Sequence, residues 1–288
     1  MRAMPPLALA VTLAAAALAG GVGGGGGLLL CGCAGEAPRT ALGYTEDAKR
    51  AYDAAMESYN AHDWIEAQTL LREVKRKYSY SKYARMAELR IADADYEQEK
   101  YSDAICEYKD FIHAHRSDAD DVAYARARIA ESTYQQIPES SLVGAPEERD
   151  QASVVDAYKE LSSYLSDYAD SKQSPHVREL LAQVIARLVR HELYVARFYL
   201  AKDNYDAAVA RIQYALHNYA PGSPMRTGQA PDSDLDAEAL LLLGKTYLKM
   251  HKWADARQAF ETIVHAHGQS PLVIPARDYL QHLSEQGA

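Results

Sequence analysis

Leu243-Gly244-Lys245-Thr246-Tyr247, five further residues, and then Trp253-Ala254-Asp255-Ala256-Arg257-Gln258-Ala259-Phe260-Glu261-Thr262-Ile263 are the stretch that decides the fold. In the second run an aromatic is followed after three residues by a small one, then by apolar side chains four and seven further on. That spacing puts all four on one helix face. Ala256 is small enough to let a partner helix approach closely, and the partner lies just upstream, ending in Tyr247. The unit returns as Trp64-x-x-Ala67 with Leu71 and Val74, as Tyr101-x-x-Ala104 with Tyr108 and Phe111, and as Tyr205-x-x-Ala208 with Ile212 and Ala215. Tyr59, Tyr96 and Tyr199 precede those leads as Tyr247 precedes Trp253. Val154, Tyr158 and Leu161 form a degenerate fifth copy without the aromatic.

Helix, tight turn and antiparallel helix, repeated, predict an all-α chain: a superhelical array of about five tetratricopeptide-like helix pairs. The pairs are expected near residues 45–80, 81–117, 120–171, 174–219 and 234–283. Their anchor positions 67, 104, 154, 208 and 256 lie 37, 50, 54 and 48 residues apart, wider than the tetratricopeptide period, so the repeats carry insertions. Asp63 with Glu66 reads as a capping box, and Ser174-Pro175 as a cap before Pro in the first turn. Val177, Leu180, Leu181, Val184, Ile185, Leu188 and Val189 trace one broad apolar face of a long helix. Residues 137–150 and 220–234, rich in Pro, Gly, Ser and acid, read as loops.

The chain opens differently. Arg2 and the apolar stretch Leu7–Ala19 have the form of an export signal. After the glycines at 23–27 comes Leu30-Cys31-Gly32-Cys33-Ala34, which resembles a bacterial lipobox, with Leu at −3, Gly at −1 and Cys33 at +1. Residues 1–32 are expected to be removed as a signal peptide and Cys33 to be acylated. Several buried acyl chains make a lasting anchor where one would not. Ala34 rather than Asp after the cysteine implies, by resemblance to other lipoproteins, the outer membrane. Residues 33–44 form a lipidated tether; from 34 to 44 it reaches at most roughly 35 Å. Only Cys106 remains besides Cys33, expected as a small packed hydrophobe at a helix seam.

Composition narrows function. Hydrophobic residues are 48% and charged residues 25%, a globular balance. Net charge is −9, which disfavours nucleic acid as a partner. Lys75-Arg76-Lys77 does not reverse this, since it closes a predicted helix where cations meet the negative dipole end. The 21 tyrosines suit either helix seams or a partner surface, and the count alone does not choose.

Metal motifs fail on inspection. His191-Glu192 lacks the second zincin histidine because Val195 stands there. The pairs His113/His115 and His265/His267 point to nearly opposite sides of a helix. Asp232-x-Asp234-x-Asp236 has Ala237 where a calcium loop needs Gly and Leu243 where it needs Glu. No catalytic residue, metal or cofactor is expected.

With these features placed, the chain from Cys33 onward resembles the BamD (YfiO, ComL) family of outer-membrane lipoproteins. Tyr78-x-x-Ser81-Lys82-Tyr83-Ala84, Asp121-Val122-Ala123-Tyr124-Ala125-Arg126 and Tyr194-Val195-Ala196-Arg197-Phe198-Tyr199 carry the resemblance in order. It implies a periplasm-facing, non-enzymatic scaffold of β-barrel assembly. Early repeats would receive unfolded outer-membrane protein segments, and late repeats would dock periplasmic domains of the barrel-forming subunit. It also places Arg211, on a turn flanked by Ala207, Ala208 and Ala210, in the docking helix. The other reading of Arg211 is a surface cation paired with a neighbouring acid. Another lipid-anchored scaffold, such as a secretin pilot, is the alternative function, and an envelope hydrolase with a helical-repeat body is a third.

Overall fold

The computed structural model describes residues 41–139, 144–219 and 234–285; the signal segment, Cys33 and Asp232 lie outside that set. Among the described residues the fold is all-α. Its helices are α1 (Ala41–Asn60), α2 (Trp64–Lys77), α3 (Lys82–Glu97), α4 (Tyr101–Ala114), α5 (Ala119–Gln135), α6 (Ala152–Asp167), α7 (Ser174–Leu200), α8 (Tyr205–Tyr219), α9 (Leu235–Lys249), α10 (Trp253–Ala266) and α11 (Val273–Glu285). Each packs against the next. Beyond sequence neighbours, the α-helices that approach one another are the first members of the pairs, α1 with α3, α5 with α7 and α7 with α9. That asymmetry makes the first helices the inner layer of the stack.

The small residues have their expected work. Ala67, Ala104, Ala208 and Ala256 are fully buried, with Leu71, Phe111, Ile212, Phe260 and Ile263 beside them. Gly244 is the extreme case. A Cβ there would sit 2.4 Å from the Phe260 ring, so α9 and α10 meet only because that side chain is absent. Turns between the helices of four pairs share one strained residue, two before each aromatic lead: His62, Glu99, Asp203 and His251 have φ of 60°, 61°, 55° and 58°. This left-handed geometry is unusual for residues other than glycine. Each turn then closes with the aromatic packing back; Tyr59 meets Trp64 and Tyr96 meets Tyr101 edge-on at 5.1 and 5.3 Å. Much of the tyrosine excess is thus seam.

Several expectations are corrected. Asp63 caps α2 by accepting from the Glu66 N–H at 3.2 Å, but Ser174 caps nothing. It is buried as the first residue of α7, and its hydroxyl donates to the Tyr168 carbonyl at 2.5 Å, tying the incoming turn to the helix. That helix runs 27 residues and buries Glu192, Leu193 and Ala196 beyond the predicted face. Residues 41–44, expected in the tether, are the first turn of α1. Tyr44 packs there edge-on against Tyr78 at 5.4 Å. Cys106 is exposed rather than packed, because two residues after Ala104 the helix has turned away from the seam. An eleventh helix, α11, covers the open face of α10, with Tyr279 stacked on Phe260 at 4.9 Å. A repeat array needs such a cap at its end.

Candidate partner-binding groove

The helices α3 and α5 carry the same short run, Arg90-Ile91-Ala92-Asp93 and Arg128-Ile129-Ala130-Glu131, each followed three residues on by Tyr96 or Tyr134. The isoleucines and alanines are buried. Each Arg therefore points to the flank of its helix, and each acid stands one turn later beside it. Backbones of α3 and α5 approach less closely than those of α1 and α3, and long polar side chains fill the space.

Asp93 is the hub and is 1% exposed. Its carboxylate accepts from the phenols of Tyr108 and Tyr124, the latter at 2.8 Å, and pairs with Arg90 at 2.6 Å. Arg128 Nε donates to the Tyr108 hydroxyl at 3.2 Å, and its Nη1 pairs with Glu131 at 2.9 Å. The Arg128 guanidinium also lies 3.7 Å from the centre of the Tyr96 ring. On the α2 side, Gln68 donates to Asp95 at 2.7 Å, tying the first pair to the second.

Arg90 and Arg128 answer Asp93 and Glu131, so these charges are paired and held in place. Burial opposes the charge on Arg90 and Arg128. Asp93 and the surrounding phenols outweigh it, holding both guanidinium groups charged with pKa values above the ordinary one. Burial, reinforced by the Asp93 carboxylate, pushes the Tyr59 phenol up to about 12 and raises Tyr108 and Tyr124 further. A phenol protonated in the fold but ionised in the unfolded chain makes stability fall as pH rises. Stability is therefore expected to decline from about pH 10, the unfolded phenol pKa, up through the raised folded values. Urea midpoints measured across that range check this, and a flat profile would show the phenols are open to water.

The remaining expected residues are scattered. His113 and His265 end their helices, and His115 and His267 cap them. His191 Nδ1 lies 2.7 Å from the Glu147 carbonyl, where residues 144–150 meet α7. No group of metal-ligating side chains forms among the described residues. Arg211 is half-exposed on α8 and its Nη1 lies 3.3 Å from Glu192 Oε2, a buried acid of α7. Arg90, Asp93, Arg128 and Glu131 went unread in the sequence, where Tyr96 and Tyr108 were read only as seam and Tyr124 as family motif, although the repeated Arg-Ile-Ala-acid run was the signal that marked them.

Comparison with known proteins fixes the family. Residues 45–228 match the YfiO outer membrane lipoprotein family. The chain belongs to that family. Outer membrane protein assembly factor BamD of Caulobacter vibrioides is 27% identical over 218 residues, 75% of this chain and 65% of that protein. The Neisseria gonorrhoeae BamD is 23% identical over 242 residues, covering 82% of this chain and 86% of its own length. Looser likenesses join it to solved repeat structures. The TPR2AB domain of yeast Sti1 in complex with a pHSP90 has a TM-score of 0.42 at 12% identity, covering 84% of this chain and 85% of its own. Pseudomonas aeruginosa pilF has a TM-score of 0.33 at 16% identity, covering 85% and 91%.

Proposed function

We propose that this chain is acylated at Cys33, held on the periplasmic side of the outer membrane, and serves as a scaffold of β-barrel assembly. Its first three repeats receive extended segments of unfolded outer-membrane proteins, and its later repeats dock the barrel-forming subunit through its periplasmic domains. The observation that carries the reading is the network of charged and aromatic side chains where α3, α4 and α5 meet. It sets partly exposed guanidinium groups and phenols side by side in fixed positions, while their buried ends are already satisfied. An extended peptide finds hydrogen-bond partners and aromatic faces there without reorganising the protein. Purification of the native protein in detergent is the test. A large β-barrel protein is expected to accompany it, and its consistent absence counts against the reading. Intact mass of the same sample reports on Cys33: an N-terminus elsewhere, or one without lipid mass, removes the anchor.

Arg211 is proposed as a docking contact whose geometry Glu192 fixes. Reversing its charge would place a carboxylate against buried Glu192, mixing a folding defect into any binding measurement. Arg211→Gln avoids this. It is expected to weaken binding to purified periplasmic domains of the barrel subunit at least about tenfold, since losing one partner of a desolvated charge pair costs about 2–5 kcal/mol. Unchanged affinity in a titration would leave Arg211 as the partner of Glu192 alone.

A further inference from the structure

The segment Arg72–Lys82 holds five cations and one acid in a chain of net charge −9. Helix-dipole stabilisation explains only part of it, since Lys75, Arg76 and Lys77 occupy the last turn of α2 while Lys82 begins the next helix. Lys75 lies 3.8 Å from Glu88. Lys77 and Lys82 lean over the rings of Tyr78 and Tyr83 at 5.5 and 5.2 Å, contacts that leave their charge uncompensated. Between them Tyr80 stands 97% exposed.

Antiparallel packing brings the start of α1 to this same end of the first pair. The Tyr44–Tyr78 ring contact fixes that approach, and Leu42, two residues earlier in the same turn, is 72% exposed. The opposing acids on α1 are Glu46 and Asp47, of which Asp47 is already paired with Arg50. Cations, an exposed phenol and an exposed leucine thus surround the point where the described chain begins. Ala41 is eight Cα–Cα steps from Cys33, a reach of at most roughly 29 Å.

We infer that this end of the first repeat is a membrane-contact face. Arg76, Lys77 and Lys82 meet anionic phospholipid headgroups, while Tyr80 and Leu42 settle into the interface. Aromatic residues beside cations have this preference at a lipid boundary. The face would fix the orientation of the array on the leaflet, which a single lipid attachment point does not do. The orienting role rests on the proposed acylation; the lipid affinity of the face does not.

Two measurements test it. The first uses residues 34–288, which include every residue of the described cores. This chain is expected to sediment at low salt with vesicles of phosphatidylethanolamine and phosphatidylglycerol, and not with phosphatidylcholine alone. Each cation at an anionic surface raises partitioning about fivefold, so R76E/K77E/K82E is expected to lower it about 100-fold or more. The second places a bimane dye at exposed Ser79→Cys, in a Cys106→Ser background, on the lipidated chain in the same vesicles. Its emission is expected to shift to the blue with phosphatidylglycerol present and to return with the triple variant. Sedimentation on both vesicle types alike, sedimentation or dye emission indifferent to the charge reversals, or no binding by the soluble chain overturns the proposal. Binding that persists when Cys33 proves unmodified upholds the face and sinks only the anchor.

Discussion

Arg128→Ala is expected to lower the unfolding free energy by about 3–5 kcal/mol, the usual cost of removing one partner from a buried ion pair. The Arg128 side chain is 16% exposed and Glu131 9%. Asp93 keeps Arg90, Tyr108 and Tyr124 when Arg128 is removed, so the group that loses its cation is Glu131. Because repeats are coupled mainly to their neighbours, the loss should appear first at the junction of the second and third pairs. Hydrogen exchange would show α3 to α6 opening before α9 and α10. Urea unfolding gives the magnitude, and adding Glu131→Gln should recover part of it by removing the stranded charge. A loss below about 1 kcal/mol would falsify the closed network, placing it with exposed pairs.

Gly244→Val is expected to cost about 2–3 kcal/mol. Two effects oppose each other. Replacing a helical glycine by alanine ordinarily gains up to about 1 kcal/mol, but any Cβ here enters the Phe260 ring, and forced overpacking costs about 1–3 kcal/mol. Alanine leaves the two nearly balanced. Valine adds bulk and gives back most of the helix propensity, so the clash wins. Phe260→Leu is expected to relieve part of the cost in the double variant, because the ring is what the new side chain strikes. Additive thermal shifts for the two substitutions would place the strain elsewhere.

Helical identity, the pairing of helices and the residues at each seam were legible in the chain alone. The Trp/Tyr-x-x-Ala unit imposes one buried face and one close approach whatever surrounds it, and Ala67, Ala104, Ala208 and Ala256 are buried as that rule demands. Family membership was legible for the same reason, being carried by motifs in order. The groove was not. Arg90, Asp93, Tyr108, Tyr124 and Arg128 come from three helices spread over about forty residues, and each alone reads as an ordinary helix residue. Only the packing of α3 beside α5 turns them into one network. Arg211 shows the same limit. Its sequence neighbours are small and name no partner, but Glu192, the acid it pairs with, lies 19 residues back on another helix. The basic run 75–77 was visible too, yet its relation to the start of α1 depends on the antiparallel turn between them. Local spacing fixes which face of a helix is apolar. Which charges meet across the seam is set by the order and crossing of helices, and only the tertiary structure decided that.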